Sequence, residues 1–182
     1  MGLGMTRTVL AFVLIALALA PAALAQTTGT TTLSVAVAAE GSITVTTGTT
    51  TLTESGGAFS NFTAPTNMTY LIRTTPSSGS GSVTLKVTTD FSPVSGPSVA
   101  TPPTAGDKLA YTCTASGTSS PTACSGSQTA STGSSTPVLT VGADAHSATA
   151  GDSTSVTWTL TNDPKYKVGS YQATVTFTIS AT

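Results

Sequence analysis

The sequence predicts an all-β fold, built as a single antiparallel two-sheet sandwich after a cleaved signal peptide. Three observations support this prediction. Apolar residues alternate with threonine or serine along most of the chain, as expected of strands that bury one face. Gly, Pro, Ser and Asn separate these runs at spacings of roughly ten residues, which is typical of sandwiches. No segment carries the i, i+3, i+4 apolar pattern of a helix.

Residues 1–25 have the layout of a secretory signal peptide. Arg7 gives a basic start, an apolar run extends from Val9 to Ala20, and Ala23-Leu24-Ala25 forms a small-residue cleavage site. An apolar run of about a dozen residues is too short to span a bilayer comfortably. We therefore expect cleavage after Ala25, a secreted or cell-surface location, and one domain formed by residues 26–182.

The alternating segments predict the strands in chain order. The first covers residues 26–38 and places Leu33, Val35 and Val37 on one face. The inward-facing residues of the later strands are Ile43 and Val45; Leu52; Met68, Tyr70 and Ile72; Val83, Leu85 and Val87; Leu109, Tyr111 and Cys113; Val138, Leu139 and Val141; Val156, Trp158 and Leu160; and Tyr171, Ala173, Val175, Phe177 and Ile179. Most intervening residues are threonine, which is β-branched and keeps the solvent face polar.

Two segments predict loops. Residues 91–106 contain four prolines, so we expect a strand-free excursion stiffened by them. Residues 116–136 are rich in Ser, Thr and Gly, and we expect mobility there.

The composition excludes two classes of partner. Ser and Thr make up about two-fifths of residues 26–182, and charged residues only 7% of the chain, against a usual quarter. The net charge of −1 gives no basic surface for nucleic acid and no polybasic patch for a membrane.

Cys113 and Cys124 are the only cysteines, with ten residues between them. In an oxidising compartment such a pair predicts one disulfide. A metal site would need further ligands close by in the sequence, and there are none.

The residues that could carry chemistry do not form a recognisable motif. His146 lies two residues from Asp144, but no Gly-x-Ser-x-Gly elbow accompanies them. Asp144 and Asp152 could meet across a turn, yet Ca²⁺ requires six or more oxygen ligands. The carboxylates that a glycosidase would use are scattered over Glu40, Glu54, Asp90, Asp107, Asp144, Asp152 and Asp163. We therefore expect no catalytic, cofactor-binding or metal-binding residues, and no enzyme activity.

Two aromatic residues and two N-glycosylation sequons are further candidates for a binding or modification site. Trp158 alternates with threonine, which favours core packing over a sugar-stacking role. Tyr171 follows a Gly-Ser turn and fits a tyrosine corner, its hydroxyl bonded to nearby backbone. Asn61-Phe62-Thr63 and Asn67-Met68-Thr69 satisfy the N-glycosylation sequon, whose use depends on the host cell.

The last fifteen residues, 168–182, read Val-Gly-Ser-Tyr-Gln-Ala-Thr-Val-Thr-Phe-Thr-Ile-Ser-Ala-Thr. This stretch resembles the closing strand of secreted bacterial immunoglobulin-like modules and of pilin-like surface proteins such as the spore-coat-U group. Trp158-Thr159-Leu160 is similar to the Trp-x-Leu motif of a Gram-positive wall-binding family, although that family places its last motif nearly at the chain end and this sequence does not. The resemblance implies an immunoglobulin-like or pilin-like surface protein without catalytic residues.

Two functional hypotheses follow. In the first, the chain is a structural subunit of a fibre or surface layer, and Leu33, Val35 and Val37 are strand-exchange residues that complete a neighbour's sheet. The alternative, that residues 26–38 pair within their own domain, stays open. In the second hypothesis, the long loops bind carbohydrate or another surface. The expected partners are copies of itself or another envelope component.

Overall fold

The structure is a computed structural model that describes residues 28–99 and 107–182. The predicted signal peptide, residues 1–25, lies outside the described residues. The chain divides into two units, Met1–Val35 and Ala36–Thr182. In the first unit, residues 28–35 are exposed and belong to no strand.

The predicted all-β fold is confirmed. The described residues contain ten strands and no helix. The strands are β1 (Glu40–Val45), β2 (Thr53–Glu54), β3 (Phe62–Arg73), β4 (Gly81–Ser92), β5 (Leu109–Ser116), β6 (Thr122–Ala123), β7 (Gln128–Thr129), β8 (Thr136–Val141), β9 (Asp152–Leu160) and β10 (Gln172–Ala181).

The strands form two antiparallel sheets packed as a sandwich. The six-stranded sheet has the order β1-β3-β9-β5-β7, with β2 also paired to β3, and the four-stranded sheet has the order β10-β4-β8-β6. Pro65 lies within β3, where it pairs with Thr157 on one side. On its other side it falls between the partners of β1 and β2, so its missing N–H leaves no ladder position unfilled.

The core lies between the sheets and consists mainly of residues that alternation predicts, together with Val99, Ala130 and Ala145. Val45, at the end of β1, was expected to face inward but is exposed. Met68, Tyr70 and Ile72 of β3 are at most 4% exposed, and Val83, Leu85 and Val87 of β4 at most 1%. Leu109, Tyr111, Val138, Leu139, Val141, Val156, Trp158 and Leu160 complete this buried set. The Trp158 ring packs against the Tyr111 ring with centroids 5.6 Å apart, and its Nε1 donates to Thr66 Oγ1 at 2.8 Å. The prediction that Trp158 packs in the core is thus confirmed.

Three local predictions differ from the structure. Leu33, Val35 and Val37 are in no strand, because residues 28–39 have no hydrogen-bonded partner strand within the described chain. Residues 116–136 contain the short strands β6 and β7, so this segment is not a simple loop. The predicted strand-free excursion, residues 91–106, begins two residues too early, because Phe91 and Ser92 belong to β4. Its described remainder, residues 93–99, is strand-free. There Val99 is buried in the core, and its N–H donates to Asp90 Oδ1 at 2.8 Å.

The predicted disulfide between Cys113 and Cys124 is present, with the two Cα atoms 5.5 Å apart. Cys113 belongs to β5 of the six-stranded sheet, and Cys124 directly follows β6 of the four-stranded sheet. The disulfide therefore joins the two layers at their β5–β6 side.

Replacing both cysteines, Cys113→Ser with Cys124→Ser, should lower the free energy of unfolding by about 3 kcal/mol, because the unfolded chain regains the entropy of the closed loop. Urea denaturation measures this change. A reductant should destabilise the wild-type protein by a similar amount and leave the double variant unaffected. An unchanged midpoint for the double variant would contradict this account.

Candidate functional site

Strand β10 is the one long unpaired edge among the described strands. It has ten residues, whereas the other outer strands, β1, β2, β6 and β7, have six or two. Soluble sheets usually protect their edges with short strands, charges or proline. β10 contains no charged residue and no proline. Its outer row of N–H and C=O groups is therefore open to another strand.

The inward-facing side of β10 is only half covered. Ala173, Val175, Phe177, Ile179 and Ala181 are all partly exposed, although they pack against the core. The corresponding residues of the neighbouring strand β4 are buried. Part of this side, at Ile179, packs against Gly41 of β1. The remaining exposed apolar surface is what one further strand beside β10 would cover.

The N-terminal segment shows the complementary property. Leu33, Val35 and Val37 are 92%, 87% and 65% exposed. They recur at the strand period of two, so an extended conformation would place all three side chains on one face. The segment thus presents an exposed apolar stripe.

Arg73 fixes the point where this segment meets β1. Its Nε donates to the carbonyl oxygen of Ala38 at 2.8 Å, and its Nη2 lies 3.3 Å from Glu40 Oε2. Both partners are exposed, so the ion pair contributes little to stability. The hydrogen bond from Arg73 Nε to the Ala38 carbonyl oxygen holds the chain at Ala38.

The residues considered for hydrolase chemistry are not brought together. His146 is exposed, and its Nδ1 lies 3.1 Å from the backbone oxygen of Asp144 rather than from the carboxylate. Asp144 has a φ of 57°, a turn conformation that aspartate tolerates. The pair therefore forms a polar turn.

Asp152 forms a buried polar cluster that the sequence did not reveal. The residue is 3% exposed. Its carboxylate accepts hydrogen bonds from the N–H groups of Thr118 (3.1 Å), Ser119 (2.8 Å) and Ala148 (3.2 Å), and from Ser119 Oγ (2.5 Å). Gly117, with φ of 143°, allows this approach, because a Cβ there would collide with the Asp152 carboxyl. Asp152 therefore joins the loops after β5 and before β9.

These hydrogen bonds set the charge state of the cluster. Burial raises the pKa of the Asp152 carboxyl, but the hydrogen bonds from Ser119, Ala148 and Thr118 outweigh it and lower the pKa below its ordinary value. Because the Ser119 hydroxyl donates to Asp152, it accepts from the Tyr70 hydroxyl at 3.0 Å. Burial raises the pKa of Tyr70. All three side chains are at most 3% exposed, so this chain of groups is closed to a substrate and acts structurally.

The remaining acidic residues hold loops and strand ends. Lys165 Nζ lies 2.7 Å from Asp107 and 3.4 Å from Asp163, and Glu54 accepts a hydrogen bond from Asn162. Beside this group, burial raises the pKa of Tyr166 to about 12. Within residues 28–99 and 107–182, no group of three or more His, Cys, Asp or Glu side chains could hold a metal ion.

The structure also places Tyr171 and the two sequons. The Tyr171 hydroxyl donates to the carbonyl oxygen of Lys167 at 2.6 Å, so the predicted tie to nearby backbone is confirmed, although the ring is half-exposed and precedes β10. Asn61 is exposed just before β3, and Asn67 points outward from the middle of that strand. In the part of the chain described, no helix is long and apolar enough to cross a membrane.

Comparisons with known proteins return no match: no family model, no curated protein and no solved structure is similar to this chain. The resemblance of the last strand to immunoglobulin-like and pilin-like proteins therefore stays a prediction.

Replacing Asp152 with asparagine should lower the free energy of unfolding at pH 7 by about 2–3 kcal/mol, because charge-assisted hydrogen bonds are lost in a buried site. A lowered folded-state pKa stabilises the protein above the unfolded pKa, and this contribution disappears as the pH falls through the folded value. The difference between wild type and Asp152→Asn should therefore shrink as the pH falls below about 4.

Denaturation at several pH values measures this difference. Asp144→Asn is the matched control, since Asp144 is exposed and asparagine tolerates its positive φ; its stability should stay within about 0.5 kcal/mol of wild type. A difference for Asp152→Asn that is independent of pH would contradict the proposed charge state.

Proposed function

We propose that this chain is a non-enzymatic, secreted structural protein of the cell surface whose copies assemble by strand addition. Residues 26–38 of one copy pair with the free edge of β10 in the next. The observation that carries the proposal is β10 itself: a ten-residue edge without charge or proline, flanked by apolar side chains that remain partly exposed.

The two surfaces match in length and chemistry. Leu33, Val35 and Val37 span about 13 Å in an extended strand, as do Val175, Phe177 and Ile179 on β10. An added strand with its apolar side inward would cover the exposed flank of the β10 residues, while backbone hydrogen bonds would fill the open edge. Neither surface carries a charge, so association is driven by apolar burial and hydrogen bonds.

Strand addition also accounts for the exposure of the N-terminal stripe. Three large apolar side chains held in water are unfavourable, and burying each would contribute roughly 1.5–3 kcal/mol. Arg73, by holding Ala38, fixes where the donor strand leaves its own subunit. The chain would then link head to tail, and such heterologous contacts generate closed rings or open polymers, depending on the rotation between neighbouring copies.

Removing the apolar stripe should prevent assembly at the lowest concentrations at which the wild-type protein polymerises. In the secreted protein, Leu33→Ser, Val35→Ser and Val37→Ser together should raise the concentration needed for polymer formation by at least about tenfold. Light scattering and electron microscopy measure this. A matched control changes the opposite face of the same segment, Thr32→Ser with Ala36→Ser, and should assemble like wild type.

Blocking the acceptor edge should have the same effect. Val175→Lys places an inward-pointing charge on β10, a device that natural edge strands use against pairing. Val168→Lys, at a fully exposed loop position, is the control for the added charge and should assemble normally.

Mixing tests the pairing itself. The triple serine variant keeps an intact β10, and Val175→Lys keeps an intact donor segment, so the mixture should form 1:1 dimers although each variant alone stays monomeric. Polymers from either variant alone, or a mixture that remains monomeric, would overturn the proposal.

A further inference from the structure

The outer side of the six-stranded sheet is an uncharged surface made mostly of hydroxyl and amide groups, interrupted by Pro65, Leu71 and Ala110. We call it the hydroxyl face: the outward side of β3 between Thr63 and Leu71, and the outward sides of β9 and β5. No outward-facing residue in these stretches is charged. The exposed charges of this sheet lie at its margins: Arg73 pairs with Glu40 at one corner, and Glu54 of β2, which pairs with Phe62 next to Thr63, accepts a hydrogen bond from Asn162.

The strand register aligns these polar groups in rows. Asn67 lies opposite Ser155, which lies opposite Thr114. In the next row Thr157 lies between Thr112 and Pro65, so this row has two hydroxyl groups. Neighbouring strands are about 4.8 Å apart, and side chains on one face recur about every 6.7 Å along a strand. The face therefore offers a regular grid of hydroxyl and amide groups.

Several of these groups have unused hydrogen-bonding capacity. Ser116 and Ser153 bond to each other at 3.0 Å. Among the described residues, the structure shows no side-chain hydrogen bond for Thr112, Thr157 or Asn67. Because each group is exposed, it can donate to and accept from a ligand without breaking a contact in the protein.

The hydroxyl face has a hollow where β5 ends and β9 begins. A shallow depression of about 280 Å³ is lined by Asn67, Thr69, Thr114, Ser116, Ser153 and Ser155. A planar lattice such as ice would not follow this hollow, whereas a flexible polymer can.

We propose that the hydroxyl face binds a neutral, hydroxyl-rich polysaccharide, with the depression as one of its subsites. The absence of charge gives no basis for binding acidic polymers or nucleic acid. Protein interfaces are enriched in aromatic residues and arginine at their core, and the hydroxyl face lacks both there. Neutral sugar hydroxyls match the donors and acceptors on the grid, and a polymer gains from several weak contacts at once.

This site is separate from the β10 edge, so it is tested without reference to assembly. The secreted protein carrying the triple serine change in residues 33–37 is incubated with insoluble cellulose, chitin and starch, and with calcium alginate gel as the acidic comparison. We expect retention on at least one neutral polymer and none on alginate.

Threonine-to-valine variants locate the site, because valine keeps the shape and strand preference while removing the hydroxyl. Thr112→Val, Thr114→Val and Thr157→Val together should weaken retention at least about tenfold, since several hydrogen bonds are lost. The matched control is Thr84→Val, Thr122→Val and Thr140→Val on β4, β6 and β8 of the four-stranded sheet, away from β10, which should bind like wild type. Circular dichroism confirms that both variants fold.

Four results would overturn the proposal. They are no retention on any neutral polymer, equal retention on alginate, equal loss in both valine variants, and inhibition of ice recrystallisation without polysaccharide binding. Inhibition of ice recrystallisation would indicate that the hydroxyl groups bind ordered water rather than a polysaccharide.

Discussion

The structure depends on burying one side of every strand between two layers. β3 and β4 supply the centre of this contact, since Met68 and Tyr70 on one sheet and Val83 and Leu85 on the other are almost completely buried. With so few charges in the chain, apolar burial is the main driving force available for folding. The same requirement makes the β10 side unusual, because there apolar side chains that pack against the core remain partly exposed.

Much of this arrangement could be predicted from local pattern. Alternation identified the inward residues of β3, β4, β5, β8 and β9, because apolar and polar residues alternate along a strand that has one buried and one solvent-exposed face. The same rule predicted a strand containing Leu33, Val35 and Val37, and the described chain has no strand there. An alternating segment looks identical whether or not a partner lies beside it, since pairing depends on residues far away in sequence. The two-residue strands β6 and β7 are too short to leave a periodic signal.

The candidate site was harder to predict for a similar reason. The freedom of the β10 edge follows from the order of strands in the sheet, which no local pattern encodes. The rows of the hydroxyl face depend on the register between β3, β9 and β5. Asp152 looked like an ordinary turn residue, and its role appears only once Ser119 and Ala148 are brought to it. Cysteine spacing, by contrast, sufficed to predict the disulfide.

The most direct measurement is hydrogen exchange along β10 in the assembled and the monomeric protein. Alternate N–H groups of an edge strand point away from the sheet and exchange freely. If a neighbour's N-terminal segment pairs there, the N–H groups between Val175 and Ile179 that point away from β4 become protected from exchange in the assembled form. The N–H groups that bond to β4 stay protected in both forms. Outward β10 amides that exchange equally fast in both forms would contradict strand addition at this edge.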